Sequence, residues 1–163
     1  MSTSKSAGQD RLQTYLNDHL AGSVAAIELL DDVIEHHPHD RFTEFSENLR
    51  DDIRADQETL RDLALRTGAK ESPIRKAGAW LAEKFGRMKF GDADDSTGLL
   101  QVLEALALGI TGKQLLWRTL EMIAPSLPAL QGTDFTELKR RAQDQFERVE
   151  AMRMQMAREA FRA

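Results

Sequence analysis

The chain has 163 residues, a net charge of −5 and no cysteine. That is one domain by length, with enough chain to bury a sizeable core; the missing thiols exclude disulfides, iron–sulfur clusters and cysteine nucleophiles. The acidic balance leaves no global footprint for nucleic acid, and the polar start "MSTSKSAGQD" with no long apolar run predicts a cytoplasmic protein without signal peptide or transmembrane segment.

Apolar residues recur at helical spacing almost throughout, and no alternating strand pattern competes. After eight residues expected to be flexible, the first predicted helix runs from about Gln9 to His36. Its inward stripe is Leu12, Leu16, His19/Leu20, Ser23/Val24, Ile27, Leu30 and Ile34. "HHPHD" breaks it, because Pro38 cannot continue a helix, and Asp40 suits an N-cap. The second helix runs to about Thr67 with Phe42, Phe45, Leu49, Ile53, Leu60 and Leu63 on one side, and Gly68 is placed to stop it. Residues 69–96 form a crossover. Within it Ser72-Pro73 starts a short helix to about Lys89, with Ile74, Trp80, Leu81, Phe85 and Met88 apolar. A third long helix spans about Thr97 to Ile123. "APSLPALQGT" is a second break, Thr133 is the expected cap, and a fourth helix runs to about Phe161.

The two short links make their helices antiparallel neighbours. The crossover is long enough to travel the length of the bundle and start the third helix at the opposite end. The expected fold is therefore all-α: a four-helix bundle in up-down-down-up order within a single domain, residues 1–163. The third helix carries Leu108, Leu115 and Met122 on its far side; that second apolar side needs a cover, and the crossover helix is the evident one.

Counting heights along the helices brings one polar residue from each to mid-bundle: His19, Asp56, Lys113 and Gln145, with Ser23 a turn away. A buried ammonium needs a paired anion. The expected arrangement is a metal-free centre in which Lys113 and His19 both serve Asp56 and hold the helices in register. A small cavity with perturbed titrating groups, taking a polar or anionic ligand at Lys113, stays open as a second reading.

In this layout the whole chain resembles the ferritin-like superfamily, in an uncharacterised bacterial branch lacking the usual di-iron ligand motifs. The resemblance implies iron or manganese held by carboxylates and Glu-x-x-His pairs. The weak candidates are Glu28, Glu58, Glu104 and Glu150, and no histidine follows at the required spacing. The expectation is a non-enzymatic structural or interaction protein without cofactor, the alternative an iron-handling relative with an atypical site.

Two further features stand out. His36, His37 and His39 cluster at the first break, where a solvated turn is the simpler reading than a zinc site. Arg75, Lys76, Lys84, Arg87 and Lys89 make the crossover basic, so it either neutralises an acidic bundle or binds an anionic membrane surface or acidic partner. Bundles of this length often pair, so a homodimer is expected, with Met154 a candidate contact.

Overall fold

Four long runs of 3.6-residue periodicity, separated by Pro- and Gly-bearing breaks, dictate four helices. The computed structural model describes residues 2–36, 41–68 and 96–162. It contains α1 (Ser2–His36), α2 (Arg41–Arg66), α3 (Ser96–Ile123) and α4 (Phe135–Ala160), with no strand among the described residues. The crossover with its basic residues, and His37, Pro38, His39 and Asp40 of the first break, lie outside the described residues.

Three of the helix ends have a local cause. α1 starts at Ser2, seven residues earlier than the apolar stripe alone implies. α2 ends where Gly68 takes a positive φ of 83°, a conformation that costs glycine nothing. The break after α3 resolves into two single 3₁₀ turns, Ala124–Ser126 and Pro128–Leu130. α4 is capped by Asp134, whose carboxylate accepts from the Glu137 N–H at 2.9 Å, and not by Thr133. The Thr133 hydroxyl is taken instead by the Arg66 guanidinium at 3.1 Å.

All four helices feed two apolar clusters. One holds Leu16, Leu20, Leu60, Leu63, Trp117, Leu120 and Leu138; the other holds Leu30, Val33, Phe42, Leu49, Leu103, Ile110, Val149 and Met156. Polar links set the directions of neighbours. Arg50 reaches Asp31, Gln57 reaches Ser23 and Gln9 reaches the Thr67 carbonyl, so α1 and α2 are antiparallel. Glu121 pairs with Lys139, Gln114 with Gln143 and Glu104 with Arg153, so α3 and α4 are antiparallel. Arg41 pairs with Glu159, Asp52 with Arg148 and Arg66 with Thr133, which makes α2 and α4 antiparallel too.

Ser96–Ser126 is long and apolar enough to cross a membrane by length and composition, contrary to the reading of short apolar runs. The same helix supplies the buried stripe Leu103, Leu106, Ile110, Trp117 and Leu120 to the core, as a core helix of this length does. Leu108, Leu115 and Met122 of α3 stay on the surface, Leu108 and Met122 about three-quarters exposed.

Candidate functional site

Asp56 is the most buried carboxylate described, 2% exposed, and the phase of α2 puts it there: Ile53, Leu60 and Leu63 share its face. Burying a charge costs several kcal/mol unless it is paired and hydrogen-bonded. The pairing is dense. Lys113 Nζ of α3 donates to Asp56 Oδ2 at 2.6 Å, and Gln145 Nε2 of α4 donates to the same oxygen at 2.9 Å. Lys113 also donates to Gln145 Oε1, which closes a three-residue ring across three helices. The Arg141 guanidinium stands 2.9 Å from Asp56 Oδ1. Burial pushes the Lys113 ammonium below the ordinary lysine pKa, and the facing Asp56 carboxylate works against that fall.

Of the residues read from the sequence as a polar centre, the fold thus brings Asp56, Lys113 and Gln145 into contact. His19 and Ser23 are placed otherwise. The His19 imidazole packs edge-on against the Tyr15 ring, 4.7 Å between centroids, and Ser23 accepts from Gln57 at 2.8 Å while donating to the Leu20 carbonyl. The position beside Asp56 expected for His19 is held by Arg141. Helical phase missed Arg141 because a charged residue at the edge of the apolar stripe reads as solvent-facing, whereas its long side chain turns inward. The signal was its place one turn before Gln145. Burial lowers the His19 pKa, opposed by the Asp18 charge, so the ring favours its neutral form.

The donor set at the centre does not fit the metal that the ferritin-like resemblance implies. One carboxylate faces two fixed cations, and each repels a further unit of positive charge at 4 Å by on the order of 4 kcal/mol. The other carboxylates stand apart from it. Glu28 and Glu58 border a shallow outer depression between α1 and α2; Glu150 is paired with Arg153 at 2.7 Å, and Glu104 lies 3.8 Å from the same arginine. Among the described residues no group of three or more His, Asp or Glu side chains is placed to hold a metal ion. His36 is exposed, its Nδ1 2.8 Å from the Asp32 carbonyl.

The centre is not sealed. A groove of about 520 Å³ runs between α1 and α3, floored by α2. Asp56, Lys113, His19, Ser23 and Trp117 border it, and Gly22, Ala25, Ala26, Ala105, Gly109 and Gly112 line its walls. The Trp117 indole N–H is buried without a hydrogen-bond partner. The chemistry available is therefore charge pairing at the centre and apolar contact along the walls. No protein-family model, curated protein or solved structure matches this chain.

Proposed function

We propose that this chain is a non-enzymatic four-helix scaffold of ferritin-like, up-down-down-up order, with a structural or interaction role and no cofactor. Helix order is supported by the core clusters. Residues 60–64 of α2 gather with residues 116–120 of α3, and residues 42–53 with residues 100–110, so ascending numbers meet ascending numbers. One observation carries the functional reading: the central carboxylate is already clamped by Lys113 and Arg141, which fill with side-chain charge the place where a ferritin-like protein would put metal. A cytoplasmic homodimer completes the proposal, and light scattering measures the assembly.

The test is metal analysis after purification without a histidine tag and incubation with ferrous iron or manganese. Far less than one equivalent is expected. Stoichiometric metal that disappears in Asp56→Asn would overturn the reading. A second reading, a small anion bound at Lys113, is favoured by the groove that reaches that residue. It requires a phosphate-dependent rise in melting temperature that Lys113→Ala abolishes.

A further inference from the structure

We propose that the outward face of α3 binds the same face of a second copy of this chain, antiparallel, about a two-fold axis that passes by Thr111. The inference names the contact surface of the homodimer proposed above and rests on that assembly.

α3 has two apolar sides. One is buried in the core through Leu103, Leu106, Ile110, Trp117 and Leu120. On the opposite side Leu108, Leu115 and Met122 follow one another at seven-residue steps and are 75%, 55% and 76% exposed. Large apolar side chains repeated every seven residues on an exposed helix form the seam of a two-stranded coiled coil, which scattered surface leucines do not. Three residues before each of them stands a small one: Ala105, Gly112 and Thr119. A Cβ added at Gly112 would meet nothing within 4 Å, so a large side chain has room to sit over it.

This alternation selects a direction. In a parallel pair at equal heights leucine meets leucine and Gly112 meets Gly112, and the small layers are left as voids whose linings lose their contacts. An antiparallel pair avoids this in a single register. Leu108 lies over the second copy's Gly112, Leu115 over its Ala105 and Met122 over its Gly98. Two-fold symmetry makes every such contact twice, so the stripe is complementary to itself.

Charge selects the same register. Glu104 and Arg118 flank the stripe, one toward each end, and in this register each comes beside the other's counterpart in the second copy. Within one chain neither is well satisfied. Arg118 is exposed and has no ion pair or hydrogen bond among the described residues. Glu104 stands 3.8 Å from Arg153, which Glu150 already holds at 2.7 Å. Two reciprocal Glu104–Arg118 pairs at the margins fix orientation, as flanking charges do in coiled coils.

Light scattering on the full chain is expected to give a dimer. Leu115→Glu, at a position more than half exposed, is expected to give a monomer with helical circular dichroism retained. Met154→Glu on α4 is expected to stay dimeric. Glu104→Arg is expected to weaken the dimer about tenfold, and adding Arg118→Glu to restore it to within about threefold of the parent. The chain has no cysteine, so single thiols report the direction. Thr111→Cys is expected to form a disulfide with its own copy on mild oxidation. Gln101→Cys is not, because its two copies stand about 27 Å apart in an antiparallel pair. A dimer that survives Leu115→Glu, or one that Gln101→Cys cross-links, overturns this contact and leaves the homodimer standing. A monomeric parent overturns both. If that monomer binds phosphatidylcholine vesicles and Leu115→Glu does not, the stripe is a membrane surface instead.

Discussion

The α2–α4 and α1–α3 sides of this molecule use opposite chemistry. The first is laced by ion pairs at Arg41, Asp52 and the buried Asp56 centre, and by a hydrogen bond from Arg66 to Thr133. The second is a groove walled by small residues. Charge fixes which residue lies opposite which; small apolar walls fix only that something apolar should lie there. Removing a charge should therefore cost far more than altering the groove wall.

The largest expected effect breaks the laced side. Asp56→Ala strands Lys113 and Arg141 with no anion, and urea denaturation should show a loss of about 3–5 kcal/mol. Asp56→Leu combined with Lys113→Met, Arg141→Met and Gln145→Leu removes the whole network together and should be nearly neutral or stabilising. If the combined change costs as much as the single one, pairing is not what Asp56 provides. On the groove side the sign reverses. Gly22→Ala, mid-helix with open space around its missing Cβ, should stabilise by roughly 0.5–1 kcal/mol in the same measurement; a loss would mean the wall there is already occupied tightly.

The smallest effect is a pH slope. The folded state lowers the His19 pKa, so below the unfolded value of about 6.5 the unfolded chain holds more protons than the folded one. Stability is thus present above that pH and declines as pH falls through it. His19→Gln should flatten the profile between pH 7 and 5 relative to the parent, read by thermal melts; an unchanged slope would mean that burial of the ring does not matter. His36 pulls the other way, because the Asp32 carbonyl and carboxylate raise its pKa, but it is common to both proteins and cancels.

The inward faces of α2 and α4 could be read from periodicity because their polar and apolar sides separate cleanly, which is why Asp56 and Gln145 could be found by counting turns. α1 was harder. It carries alanine, glycine and serine between its large residues, so its phase is weakly marked, and His19 fell on the groove wall rather than at the carboxylate. The cap of α4 was legible in retrospect: Asp134 with Glu137 three residues on is a capping pattern, whereas Thr133 was needed by Arg66. Arg141 illustrates the limit of such counting: an arginine at the edge of the stripe can turn either way, and its buried partner decides which.

The two apolar clusters, one toward each end, contain twelve buried residues apiece; leucine is the commonest residue in both, and each has a single buried Phe. Oil alone distinguishes such ends poorly. A helix shifted by a turn, or entered from the wrong end, would still find leucine opposite leucine. It would also draw Asp56 away from both its cations and leave a lone carboxylate against hydrocarbon. The charged centre therefore adds little to the depth of the native well and much to the height of its rivals, so that a chain of near-repeating apolar faces has one arrangement to settle into.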